Sequence, residues 1–543
     1  MIKRQTQQFD YWKEFSVTEG SLEHLYELFL EGEEPHTSEE LALALIRSRY
    51  REEEDRLRQK LSSGEIFQPR NSYPEGTQLI FPALGYELAT VVGKRPGHSV
   101  RYGDFTVIQA QFAEGGPTRE FASELEASHP LNLEKEGDIL ASGDLLSPKE
   151  LYSARGDAVA STLEETLAES EDFVHWNDEW YLRELMPDLN EGHRNIVEAV
   201  IEVEGEPMEA EGLLPKLDLS DEFKPRAQVF ALNYSLAHDE RFEDVGPAGQ
   251  VRWFLRRMEP EEVHEKPPRL RCQRESYDPT VIRPDMLDWV QEFADELIEP
   301  ELQPTWEPEQ EETTLVLTYP HRRAGTLPLT PQTTPFFPQK EDGPVHIYFR
   351  HPQSKTRWPG WVVAQEGYVY GLRQWYDEAS IPAGTYITLR RGADPLEVLI
   401  ECQQRRLREW VRVAQVRDGK LTFEMQSRSV SWEYDDLMLI SEAHPSPVPD
   451  QVQAKIDRVW QRAEEERRSI FTILCEIFPE LSKLNPQGTV HVKTLYAAVN
   501  VIRRFSPGPI LAELSTRACF LPVGDGYWSY HEEHLCLIRC RQR

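Results

Sequence analysis

Apolar residues recur at helical spacing at Leu22, Leu25, Leu28 and Phe29, the pattern breaks at Gly32 and Pro35, and it resumes at Leu41, Leu45 and Ile46. A helical, winged-helix-like unit is expected over 1–72. The period then falls to two in QLIFPALGYELATVVGKRPG and DFTVIQAQFAEGG, which predicts a small β-barrel over 73–145. Helical spacing returns at Val159, Leu163 and Leu167 before the aromatic segment Phe173–Leu182, a partial unit of the first kind over 146–188.

Residues 189–262 repeat that layout more fully, IVEAVIEVEGEPMEAEGLLPKL leading into VFALNYSLAHDERFEDVGPAGQVRWFL. A further unit spans 443–543, where Phe520, Val523, Gly524, Gly526 and Trp528 parallel Phe242, Val245, Gly246, Gly249 and Trp253. Each ending reads as a helix, an apolar strand, a glycine turn that needs positive φ, and a returning strand whose tryptophan packs back on the helices. Between these units, 263–312 is rich in Pro and Glu and reads as a linker around one helix, MLDWVQEFADELI. Residues 313–442 show seven short alternating segments, from TTLVLTYP to KLTFEMQ, and predict a second barrel. The expected class is α+β and multidomain, with repeated winged-helix-like units and two small β-barrels.

Charge changes this picture by its distribution. The net charge of −34 would repel a polyphosphate, yet residues 313–440 hold 16 Lys and Arg against 14 Asp and Glu, and 441–543 hold 13 against 12. The first 312 residues carry the remaining 31 bases and 68 acids. That acidic part could engage a basic protein partner or simply confer solubility. No run of about 18 apolar residues occurs, and MIKRQTQQFDYWKEF has no apolar secretory core, so the expectation is a cytoplasmic protein without a membrane partner. The six cysteines form no CxxC pair and predict no structural disulfide.

Enzymatic signatures are missing from the sequence. It contains no GxSxG, no GxxxxGK[ST] and no GxGxxG between strand and helix, and carboxylate doublets such as Asp435-Asp436 and Glu532-Glu533 are adjacent rather than facing. Cys519, His531, His534, Cys536 and Cys540 carry zinc-type donors at a spacing that fits no standard site. A non-enzymatic protein with no cofactor and no metal is expected.

Residues 191–256 resemble the HARE-HTH family of winged-helix domains, through the Gly205-Glu206-Pro207-Met208 turn, the helix ending near Leu236, and Arg241-Phe242 with Trp253-Phe254-Leu255. Residues 313–440, with RAGTLPLTPQTTPFFPQ, VHIYFR and RWPGWVVAQ, look like the pseudobarrel DNA-binding domain of plant transcription factors. Together these resemblances imply DNA or the transcription machinery as partner. Recognition within a restriction or defence system, and an acidic protein–protein scaffold, stay open as alternatives.

The candidate nucleic-acid contacts follow from the basic C-terminal half. Arg322, Arg323, Arg357, Arg373, Arg405, Arg406 and Arg408 could track phosphates, with Trp361 stacking on a base. Lys493, Asn500, Arg503 and Arg504 lie along a helix that a winged helix could present to a groove. Both sets could equally be solvated surface.

Overall fold

The computed structural model describes residues 4–112, 116–132, 145–220, 222–273, 275–293, 295–300, 310–442 and 450–535. It is a mixed α/β protein with several sheets, one curled into a half-barrel. The chain divides into two compact units, Met1–Val197 with Leu214–His238, and Glu198–Leu213 with Asp239–Arg543.

In the first unit a short helix α1 (Phe9–Lys13) precedes α2 (Glu19–Gly32), whose Thr18 cap accepts the amide of Ser21. A two-residue strand β1 (His36–Thr37) then leads into α3 (Ser38–Ser62). Five strands follow, β2 (Glu65–Ile66), β3 (Gln78–Phe81), β4 (Glu87–Ser99), β5 (Gly103–Phe112) and β6 (Thr118–Ser123), hydrogen-bonded in that order into one sheet. Phe67, Tyr73, Phe81, Ile108 and Phe112 fill its core. After it comes α4 (Pro148–Ala168), which begins in a reciprocal capping box between Ser147 and Glu150, with Pro148 in the first turn.

The hairpin of β7 (Phe173–Trp176) and β8 (Glu179–Leu182) closes that unit by pairing with β1, His36 standing opposite Trp180. Residues 1–72 and 146–188, expected as two units, are therefore parts of one module into which the five-stranded sheet is inserted. The physical reason is that β1 is too short to form a sheet alone and finds its partner about 140 residues later. Trp180, Tyr181, Phe173 and Leu182 pack with Leu25, Phe29, Leu41 and Leu163 in one apolar cluster, and the Trp180 indole donates to Ser38 Oγ at 3.0 Å.

Along the chain come α5 (Glu191–Glu204), α6 (Ala210–Leu213) and α7 (Pro225–Ala237), followed by the hairpin of β9 (Phe242–Asp244) and β10 (Trp253–Leu255) and the one-turn α8 (Glu261–His264). Met208 bridges to Trp253 as His36 does to Trp180.

The segment expected as a linker is part of the second unit's interior. Its helix α9 (Pro284–Glu292) buries Met286 and Val290, and Ile282, Phe293 and Ile298 join them in the largest apolar cluster of that unit. The composition is polar on average, but the apolar residues recur at helical spacing on one side, and that side is covered.

The seven-stranded sheet has the order β11 (Glu312–Val316), β16 (Tyr386–Arg391), β17 (Glu397–Glu401), β13 (Val345–Arg350), β14 (Arg357–Val363), β15 (Tyr368–Tyr370), β12 (Thr326–Pro328). The short helices α10 (Tyr319–Ala324) and α11 (Arg373–Glu378) lie between its strands in sequence. The last two segments expected in this barrel leave it: β18 (Gln404–Arg417) and β19 (Lys420–Trp432) form a separate long hairpin, with β20 (Ser441–Glu442) at its edge. Ala414, Leu421 and Phe423 draw it away by packing into the cluster that holds the C-terminal helices.

Those helices are α12 (Asp450–Glu465), α13 (Ile470–Ser482), α14 (Val492–Ile502) and α15 (Pro507–Thr516). They are completed by β21 (Val490–His491), β22 (Phe520–Gly524) and β23 (Tyr527–Tyr530), with Val490 opposite Trp528. The strand order β21-β23-β22 reproduces β1-β8-β7. In chain order, helix, short strand, helix, helix and hairpin thus occur at the start and the end of the chain, and 191–255 follows the same order with a single bridge at Met208 in place of the short strand; Trp180, Trp253 and Trp528 are all buried.

Candidate nucleic-acid interface

The expected contact residues fall into three environments within the second unit. Lys493, Asn500, Arg503 and Arg504 are buried, which corrects the expectation that α14 displays them. Lys493 Nζ meets Asp435 at 3.0 Å and Glu292 at 2.5 Å, and Arg503 meets Glu464 at 3.3 Å. Arg504 lies 2.8 Å from Asp295 and 2.9 Å from Glu296, and Glu296 also meets His321 Nε2 at 3.0 Å. Burial by itself would raise the Glu296 carboxyl, but Arg504 and His321 outweigh it and hold the group well below the usual carboxylate range. Asn500 Oδ1 accepts from the Phe505 amide at 3.0 Å, and its amide nitrogen donates to the Tyr496 carbonyl. The polar groups of this helix are spent on the interior.

Trp361 is also interior, with its ring 4.9 Å from His346 and 5.8 Å from Phe254, and it offers no face to a base. Arg357 lies 3.8 Å over the Tyr348 ring and pairs with Glu206 at 3.0 Å. Arg350 and Arg390 are likewise paired, with Glu397 at 2.8 Å and with Glu312 at 2.6 Å.

Arg322, Arg323 and Arg373 line a groove of about 1090 Å³ between α10, α11 and the β18–β19 hairpin. Arg428 of β19 joins them, and the lining holds two acids, Asp377 and Asp457, against these four arginines. Asp377 pairs with Arg322 and Asp457 with Arg323, each at 2.8 Å, while Arg373 is 3.8 Å from Glu262. The Arg322 guanidinium also donates to the Ile381 carbonyl and sits 5.6 Å over the Tyr376 ring, so its orientation is set from two sides.

The third environment is the open half of the hairpin. Residues 404–432 carry seven Lys and Arg against three Asp and Glu, a local excess of +4 in a chain of −34. Strand alternation puts Arg408 and Trp410 on one parity, Arg406 lies in the irregular stretch between Gln404 and Leu407, and all three are exposed, Trp410 by 69%. Trp410 stands opposite Ser427 and Arg408 opposite Ser429, so small residues across the ladder leave the indole uncovered. Arg408 Nε donates to Ser427 Oγ at 3.2 Å, and Leu407 is 50% exposed. Arg405, of the other parity, pairs with Glu409 at 3.0 Å over the Tyr434 ring. Trp361, expected to stack on a base, is covered, and the exposed indole is Trp410, which the run Arg406-Leu407-Arg408-Glu409-Trp410 marks in the sequence.

Of the zinc-type donors, Cys519 is buried in the apolar cluster and His531 and His534 stack 5.5 Å apart, while Cys536 and Cys540 lie outside the described residues. Asp435 is occupied by Lys493 and by the amides of Leu437 and Met438. No described helix is long and apolar enough to cross a membrane.

No family model, no curated protein and no solved structure matches the chain.

Proposed function

We propose that this protein binds nucleic acid without a reaction of its own, with the β18–β19 hairpin and the adjoining arginine groove as its contact surface. The three helix-and-hairpin modules are read as winged-helix units that serve mainly as scaffold. The observation that carries the reading is the exposed Trp410 on one strand with the exposed Arg406 and Arg408, the most basic element of an acidic chain. An indole face accepts any unpaired base, and flanking guanidinium groups attract the backbone, which favours single strands or splayed-out bases over closed duplex. The acidic remainder opposes non-specific adhesion, so contact is confined to this patch.

Fluorescence anisotropy with a labelled single strand tests this. Binding should weaken steeply between 50 and 200 mM salt, at about 0.7 of a counterion per phosphate neutralised. The variant Arg406→Glu/Arg408→Glu should flatten that dependence, and Trp410→Ala should cost about 1–3 kcal/mol. No binding by the natural protein at low salt, or unchanged binding by both variants, would remove the reading.

A further inference from the structure

We propose that Glu243, Glu259 and His264 form a binding site for one first-row transition dication, best fitted by Zn2+. One donor atom from each lies within 4.8 Å of the other two. They come from β9, from the turn after β10, and from α8, so 22 residues of chain converge on one point.

Glu259 points to a ligand independently of the clustering. Its side chain is wholly buried, yet neither carboxylate oxygen accepts a hydrogen bond among the described residues. His264 Nε2 is 2.7 Å from one of those oxygens, in an orientation that makes no hydrogen bond. Buried carboxylates ordinarily have their lone pairs satisfied, because an uncompensated anion away from water costs several kcal/mol. Two carboxylates and an imidazole neutralise a dication, and their mixture of hard oxygen and borderline nitrogen suits zinc better than calcium or magnesium.

The surroundings supply what such a site needs. Arg256 Nε donates to Glu243 Oε2 at 3.1 Å, which fixes that carboxylate's plane from outside the donor set. His264 is partly exposed, so water can reach the open side and complete the coordination. Metal–donor bonds of about 2.0–2.2 Å place tetrahedral donors roughly 3.3 Å apart, a spacing inside the 4.8 Å within which the three donor atoms already lie. The ion would tie the β9–β10 hairpin to the segment that follows it, and does so whether or not the protein binds nucleic acid.

The test is zinc titration of the chelator-dialysed full chain by calorimetry. The natural protein should take up one equivalent more than Glu259→Gln or His264→Ala, and zinc should raise its melting temperature but not theirs. Glu261→Gln, a neighbour outside the cluster, should behave as the natural protein does. Equal stoichiometry in all four would overturn the site. So would uptake of no zinc by the natural protein with a Glu259→Gln variant that melts higher in chelator, since the two carboxyls would then simply share a proton. His264→Ala alters a partly exposed side chain and keeps the titration decisive if Glu259→Gln folds poorly.

Discussion

Replacing Arg504 by Met probes how far the second unit depends on its buried charges. Arg504, Asp295 and Glu296 have side-chain exposures of 1%, 0% and 3%, and the guanidinium makes contacts of 2.8–2.9 Å to both acids. Methionine fills much of the volume but leaves two carboxylates inside the protein, where His321, the Tyr496 hydroxyl and the Leu297 amide are neutral or shared partners that do not replace the guanidinium charge. Removing one partner of a buried pair costs about 3–5 kcal/mol, most of it the penalty on the charge left behind. In urea, with a slope of about 3 kcal/mol/M, the unfolding midpoint of this unit should fall by roughly 1–2 M. The triple change Arg504→Met/Asp295→Asn/Glu296→Gln should recover at least half of that loss, because no unpaired charge remains. Tryptophan fluorescence, with Trp289 and Trp528 packed at the same core, reports the transition. A single variant whose midpoint moves by less than about 0.3 M would refute the reasoning, since the network would then contribute less than a typical surface pair.

Other expectations follow from separate features. Burial, then Arg252 and Arg357, depress the His346 imidazole from 6.5 to about 3, so its contribution is fully present above pH 6.5 and is lost as pH falls toward 3, at about 1.4 kcal/mol per pH unit; denaturant midpoints measured from pH 7.5 to 4.5 should flatten in His346→Phe. Trp180→Ala, Trp253→Ala and Trp528→Ala should each cost about 3–5 kcal/mol, read as faster amide exchange in the strands that face them. Ser147→Ala removes the hydroxyl that accepts the Glu150 amide, leaves the Ser147 amide donating to the Glu150 carboxylate, and should destabilise α4 by about 1 kcal/mol, seen as earlier proteolysis in its first turns.

Local patterns in the sequence located the helices and hairpins, because periodicity and glycine turns are properties of short windows. The aromatic segments ending in Trp180, Trp253 and Trp528 are hairpin strands in the structure, and the alternating segments of 313–401 are strands of one sheet. What could not be read was partnership at a distance. Arg504 looks like any surface arginine until Asp295 and Glu296, more than 200 residues earlier, are placed beside it. Trp361 and Trp410 are indistinguishable by composition, and only the residues that cover one and spare the other separate them. The Pro- and Glu-rich stretch misled for the same reason: its average polarity hid the buried stripe of α9. Glu259 gave no sign at all, since the lack of a hydrogen bond to either of its oxygens is a property of the packed chain.

The sheet that interrupts the first module bears on the order in which the protein takes shape at the ribosome. His36 meets Trp180 only after 144 further residues have been synthesised, which at about 5–20 residues per second means a wait of roughly 7–29 seconds. During that interval the inserted strands, which are contiguous in sequence, can complete themselves first, while α2 and α3 stand with their apolar sides uncovered. A chaperone would find its client there, and a shortened chain with residues 64–146 replaced by a brief glycine-serine bridge should mature faster than the natural one.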